Sequence, residues 1–216
     1  MSAPESASPD HLLTLAGPAE AELKEKRSRF IGLAWPIADA QEADLRIREA
    51  ARRFHDARHV CHGGRLGVEP RVTENRNDDG EPGGTAGEPI LAAIRRLDLV
   101  DVLVVVVRYF GGVKLGTGGL QRAYGGAADL ALAGARIRRV LLGQEFELSF
   151  GYPLQKTLRR QLTLCGGRIR DEQYGAAVDW RVWLPHSQAA GFVDRVRELS
   201  AAQVVPRLVS EQTRLP

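Results

Sequence analysis

The run Val102-Leu103-Val104-Val105-Val106-Val107-Arg108-Tyr109 decides the fold around it, because it is apolar without alternation as far as Val107 and rich in β-branched residues. It is strand-sized, and unbroken rather than alternating polarity predicts a strand buried on both faces. On its N-terminal side Ile90, Leu91, Ile94 and Leu97 recur at helical spacing, and Thr85 with Glu88 forms a capping signal at the start of that helix. On its C-terminal side Leu120, Ala123, Tyr124, Ala127, Leu130 and Ala131 predict a helix from about Gly118 to Ala135. Further upstream, Arg58 to Val68 and Arg71 to Asn75 read as strands around breaks at Gly63-Gly64 and Glu69-Pro70. Asp39 and Glu42 cap a helix over 40–55, and Lys26 to Ile37 reads as one strand.

After Gly143 the pattern restarts. Glu145 to Phe150 alternates, Pro153 opens a helix to about Leu164, and Arg168 to Tyr174 and Val178 to Leu184 flank a turn at Gly175. A helix to about Leu199 and a strand from Gln203 to Val209 complete a β-α-β-β-α-β order, which is the ferredoxin-like arrangement. The chain is therefore expected to be α+β, with domains at 1–140 and 144–216. Its length of 216 residues suits one large or two small cores.

Composition narrows the class. Hydrophobic residues make up 44% and charged residues 26%, as in an ordinary globular protein. The longest apolar run, Val102 to Val107, is far below the roughly 20 residues of a membrane helix, so no membrane association is expected. The start, Met1 to Leu15, lacks the basic and apolar segments of a leader. Cys61 and Cys165 read as free thiols, which fits a cytoplasmic location. Net charge is only +3, yet its distribution is uneven. Glu74, Asp78, Asp79 and Glu81 crowd one loop, whereas Arg108, Lys114, Arg122, Arg136, Arg138 and Arg139 follow with Asp129 alone against them. Such a basic stretch attracts polyanions.

Three motif blocks are specific. Asn77-Asp78-Asp79-Gly80-Glu81-Pro82-Gly83-Gly84-Thr85-Ala86-Gly87-Glu88-Pro89 resembles the DDGEP-x-GTAG-x-P signature of the IMPACT/YigZ family. Arg108-Tyr109-Phe110-Gly111-Gly112-Val113-Lys114-Leu115-Gly116-Thr117-Gly118-Gly119-Leu120, with Arg122-Ala123-Tyr124, matches its RYFGG-x-KLG-x-GGL-x-RAY signature. Ala57-Arg58-His59-Val60-Cys61 resembles its A-x-H-x-C, although His62-Gly63-Gly64 departs from the usual residues that follow. The resemblance implies a two-domain protein linked to regulation of translation. It implies a first domain like one shared by a small-subunit ribosomal protein and an elongation factor, a ferredoxin-like second domain, and no established catalytic residue. Eukaryotic relatives in the family act through protein contacts.

The residues themselves point to an anion site. Gly83-Gly84-Thr85-Ala86-Gly87 and Gly116-Thr117-Gly118-Gly119 each feed a helix start, where free N–H groups and the helix dipole favour negative charge. Arg108, Lys114 and Arg122 supply cations, with Gly84, Thr85, Gly118, Gly119 and Tyr124 around them. Asp78, Asp79 and Glu81 form a polar loop that offers hard ligands to a metal, or else fixes a turn and pairs with Arg108 or Arg122. Cys61 reads as a small core residue and His59 as structural. Nucleotide P-loop, dinucleotide fingerprint and nucleophile-elbow readings all fail on spacing. Trp183 lies on the polar face of its strand pattern and reads as a sheet-covering or interface residue. The expectation is a non-enzymatic regulator, needing no cofactor, that binds RNA, the ribosome or translation factors. A metal-assisted enzyme on a phosphorylated or anionic small molecule and a protein-interaction module stand as alternatives.

Overall fold

A computed structural model describes residues 10–68 and 71–215; the break expected at Glu69-Pro70 and most of the stretch read for a leader lie outside them. The protein is α+β, with two five-stranded sheets and five α-helices among the described residues. Leu13–Arg138 forms one compact unit. The second gathers Arg139 onward, together with the described residues that precede Leu13.

The first unit is a sheet of β2 (Ala19–Glu25), β3 (Ser28–Pro36), β6 (Val102–Tyr109), β4 (His59–Leu66) and β5 (Thr73–Asn77), in that spatial order and with every pairing antiparallel. The β-branched run is β6, and it sits at the centre, buried on both faces as its composition predicts. Val102, Val104 and Val106 point to one core with Phe30, Cys61, Ile90 and Tyr124, under α2 (Gly87–Arg96) and α3 (Gly116–Ala133). Leu103, Val105 and Val107 point to the other, under α1 (Ala40–Arg53). Period-two alternation thus assigns every β6 side chain to one of two layers.

Several expectations need correction. The strand expected over Lys26 to Ile37 is β3, trimmed to Ser28–Pro36: Lys26 and Arg27 take left-handed φ values of 44° and 67° and form the two-residue hairpin turn between β2 and β3. Gly63-Gly64 is not a break, because β4 runs through both; a Cβ at Gly63 would stand 2.8 Å from the backbone nitrogen of Leu91, so glycine there lets α2 lie on the sheet. The third helix starts and ends two residues before the predicted bounds.

In the second unit β7 (Ile137–Phe150), α4 (Gln155–Leu164), β8 (Arg168–Tyr174), β9 (Val178–Pro185), α5 (His186–Leu199) and β10 (Arg207–Leu215) follow the expected order. β9 lies between β7 and β8, and β10 pairs with the other edge of β7, which gives the ferredoxin-like strand arrangement. β10 begins four residues later than predicted and extends to Leu215. A strand the periodicity did not reveal, β1 (His11–Leu15), also joins this sheet beside β7, and Asp10 accepts from the backbone N–H of Ser187 at the start of α5. Trp183, expected as a sheet-covering or interface residue, is 1% exposed and lies against Gly143, where any Cβ would strike its ring.

Candidate functional site

The site grows from one row across three strands. Phe30 on β3, Arg108 on β6 and His59 on β4 are direct neighbours in register. Arg108 shares the parity of Val102, Val104 and Val106, so its side chain points into the layer that holds α2 and α3. That places a guanidinium, 6% exposed, beneath helices. A charge so placed needs a partner. Glu81, itself buried, supplies it: Oε1 accepts from Arg108 Nη1 at 2.5 Å and from the Tyr124 hydroxyl at 2.8 Å. Tyr124 stands edge-on to Phe30, ring centroids 5.1 Å apart, and Arg108 lies over the rings of both Phe30 and Phe110. The expected pairing of Asp78 or Asp79 with Arg108 or Arg122 therefore gives way to Glu81 with Arg108.

Asp78 and Asp79 serve the backbone instead. The Asp78 carboxylate accepts from the N–H groups of Gly84, Ala86 and Gly87 at 2.8, 2.9 and 2.8 Å. Burial alone would raise its pKa, but those donors and Arg76 together hold it below the ordinary carboxylate value. Thr85 does not cap α2; its hydroxyl donates to the Pro82 carbonyl, and Ala86 occupies the cap position with Asp78 as the acceptor. The glycine loop at Gly84-Thr85 thus already holds an anion, from this same chain. Asp79 accepts from the Val60 N–H at 2.7 Å, while Asn77 Oδ1 accepts from the Asp79 N–H and fixes the turn. Among the described residues no group of three or more His, Cys, Asp or Glu could hold a metal ion.

The second glycine loop differs. α3 starts at Gly116 with no side-chain cap and no acidic residue in its first turn. Its exposed start opens on a cleft of about 480 Å³ lined by Lys114, Gly116, Thr117, Phe110 and Leu120 on one side. Arg58, His59, Gly80, Glu81 and Pro82 line the other side, with Arg108 at the base. The acidic loop and the basic glycine loop therefore face one cleft. Of the expected cations, Arg108 and exposed Lys114 line it and Arg122 does not; a Cβ on Gly118 would lie 3.5 Å from Arg122 Nη1. Gly118 and Gly119 are part-buried in the first turn, and Tyr124 is fully buried.

Sequence reasoning missed Arg58 and set His59 aside as structural. The register of His59 with Arg108, unknowable from the sequence, brings the start of β4 to the cleft, and Arg58 just before the strand lines it too. His59 Nδ1 lies 2.7 Å from the Asp79 carbonyl, which can only accept, so the neutral ring carries its proton there. Nε2 then faces Glu81, 3.8 Å away. Cys61 donates to the Asp78 carbonyl, and burial pushes its thiol up to about 12, which rules it out as a ready nucleophile.

The comparisons agree with the blocks that build this site. Residues 26–132 match the Impact N-terminal domain, and residues 148–203 match a domain of unknown function, DUF1949. The Escherichia coli protein named IMPACT family member YigZ is 36% identical over 86% of this chain and 91% of its own length. The chain belongs to the IMPACT family. IMPACT family member YvyE of Bacillus subtilis is 30% identical over 87% of the chain and 86% of its own, and a Thermus thermophilus IMPACT family member is 49% identical over 62% and 70%. A crystal structure of a hypothetical protein superposes with a TM-score of 0.65 at 31% identity, covering 94% of this chain and 99% of that one. Family membership supports a translation-related regulatory role in general terms. No described helix of this IMPACT family chain is long and apolar enough to cross a membrane.

Proposed function

We propose that the chain is a non-enzymatic regulator that binds RNA, free or in the ribosome, by seating a backbone phosphate at the start of α3. One contrast carries this reading. The α2 start is closed by Asp78, whereas the α3 start is uncapped and opens on a cleft that holds Arg58, Lys114 and the edge of Arg108. Free N–H groups, the positive end of a five-turn helix and two exposed cations are what a phosphate requires. The carboxylates nearby do not oppose it, because Asp78 is satisfied by N–H groups and Glu81 by Arg108 and Tyr124.

The test is a salt titration of RNA and ribosome binding. Affinity should fall as salt rises, and Arg58→Ala with Lys114→Ala should flatten that slope by about two phosphate contacts, whereas Arg122→Ala leaves it unchanged. Salt-independent binding, or a slope indifferent to the double variant, sinks the reading. One observation favours a second reading, an enzyme on an anionic small molecule: an imidazole, His59, lines the cleft beside Glu81. Turnover that disappears in His59→Gln while anion binding persists would move the assignment there.

A further inference from the structure

The second unit carries an aromatic and basic face that the cleft does not account for. Tyr152 and Tyr174 are 49% and 58% exposed, yet their rings are nearly parallel, 19° apart with centroids 6.4 Å from each other. Both are fixed at their hydroxyl ends. Tyr152 donates to the Gly175 carbonyl at 2.8 Å; Tyr174 donates to Glu172 at 2.7 Å and accepts from the Gln155 amide at 2.9 Å. Side chains tied at one end and open on their faces lose little freedom when a flat ring stacks on them.

Charge sits beside them in a defined pattern. Leu158 and Leu162 mark the buried side of α4. At 100° per residue the opposite side carries Lys156, Arg160 and Thr163, with Arg159 on its flank against Trp180 and Tyr152 in the 3-10 turn just ahead of the helix. α4 contains no Asp or Glu. Glu172 is the nearby carboxylate, and it is already engaged by Arg159, Trp180, Tyr174 and Gln155. Among the described residues neither Lys156 nor Arg160 pairs with a carboxylate. The two stand one helical turn apart, about 6 Å along the axis, on the order of one nucleotide step of an extended strand.

We infer that this face is a stacking platform for single-stranded RNA: bases lie against the Tyr152 and Tyr174 rings, and Lys156 and Arg160 hold the adjoining phosphates. Open aromatic faces interleaved with cations suit unpaired bases, which every sequence offers, rather than the stacked interior of a duplex. The inference rests on the RNA reading above but on residues outside the cleft. Glu172 serves as the positioning residue, since it sets both Tyr174 and Arg159.

The test uses the full chain and three labelled probes: an oligouridylate of about 12 nucleotides, an abasic sugar–phosphate oligomer and an RNA duplex, both of the same length. Wild type should favour the base-bearing probe. Tyr152→Ala with Tyr174→Ala should weaken oligouridylate binding about tenfold and leave the abasic probe unaffected. Lys156→Glu with Arg160→Glu, both exposed positions, should weaken both these probes and reduce the salt slope. Arg58→Ala with Lys114→Ala should weaken both probes equally, so loss of the cleft and loss of the platform are separable. Unchanged oligouridylate affinity in the tyrosine variant overturns the platform. So does an equal loss on the abasic probe, equal affinity for a duplex of the same length, or no RNA binding by wild type. A tyrosine variant defective only in binding a protein partner also overturns it, assigning the face to that partner.

Discussion

Glu81→Ala tests the central claim about how the site is held together. The substitution leaves the Arg108 guanidinium, 6% exposed, without a counter-charge, and the Tyr124 hydroxyl, wholly buried, without its carboxylate acceptor. Removing one partner of a buried pair costs roughly 3–5 kcal/mol, and an unmet buried hydroxyl about 1–3 kcal/mol. The two costs overlap, because both groups converge on the single atom Oε1, so about 4 kcal/mol in all is expected. With a urea m-value on the order of 2 kcal/mol/M, the midpoint falls by about 2 M. Glu81→Gln keeps an acceptor and loses only the charge, and should cost roughly 1.5–3 kcal/mol. Because the chain forms two compact units, the assay is hydrogen exchange of β6 amides along the urea series, which reports the first unit alone. Adding Arg108→Met to Glu81→Leu should restore about 2 kcal/mol or more relative to Glu81→Leu alone, since an apolar pair removes the stranded charge. A loss under about 1 kcal/mol in Glu81→Ala, or strict additivity in the double variant, refutes the buried-triad account.

Asp78→Ala should cost about 1–2 kcal/mol as a lost helix cap. The folded pKa of Asp78 lies below its ordinary value of 3.8, so its contribution is full above that pH and disappears as pH falls through the lowered value; urea midpoints from neutral to acid pH should show that limb, and Asp78→Asn should flatten it. Gly32→Ala places a Cβ 2.4 Å from the Ala127 carbonyl oxygen of α3, and forcing the helix off β3 should cost roughly 1–3 kcal/mol; Gly83→Ala meets nothing within 4 Å and should stay within about 0.5 kcal/mol, both read as changes in Tm. Iodoacetamide at mildly alkaline pH should label half-buried Cys165 in the folded protein and reach Cys61 only on unfolding, as peptide mass analysis would show; equal rates would contradict the buried, raised thiol.

Legibility in the sequence followed burial. β6 was readable because both its faces are covered, so every residue bears the same selection for apolar bulk. The β-α-β-β-α-β order after Gly143 was readable for the related reason that Leu158 with Leu162 and Val178 with Trp180 and Val182 obey clean periods. β2 escaped because Ala-Glu-Ala-Glu-Leu-Lys-Glu over Ala19–Glu25 is half-exposed and rich in residues with poor strand propensity; pairing with β3 overrides that preference. The Lys26-Arg27 turn carries neither Gly nor Asn, so its left-handed backbone has no local signature. At the site, the motif blocks announced Glu81, Arg108 and Tyr124 as a group but not their bonding. Which carboxylate meets Arg108 depends on the Asn77–Gly80 turn, a feature set by side chain to backbone contacts rather than by pattern.

The two glycine-rich helix starts look alike as text and diverge as chemistry, and the difference traces to what precedes each. Asp78 lies six to nine residues before Gly84, Ala86 and Gly87, and the turn at Asp79-Gly80, with φ values of 43° and 81°, folds the chain back so that its carboxylate reaches all three N–H groups. That loop is self-ligated. Before Gly116 the corresponding stretch is Arg108 to Leu115, which contains Lys114 and no acid at all, so nothing local can close the start of α3. A glycine loop with a carboxylate held over it is a structural cap; the same loop with a cation before it retains its donors for a ligand. The Asp78→Ala variant therefore has a second use: it should open the α2 start to inorganic phosphate or sulfate, with anion-dependent recovery of stability that Asp78→Asn, still able to accept, does not show.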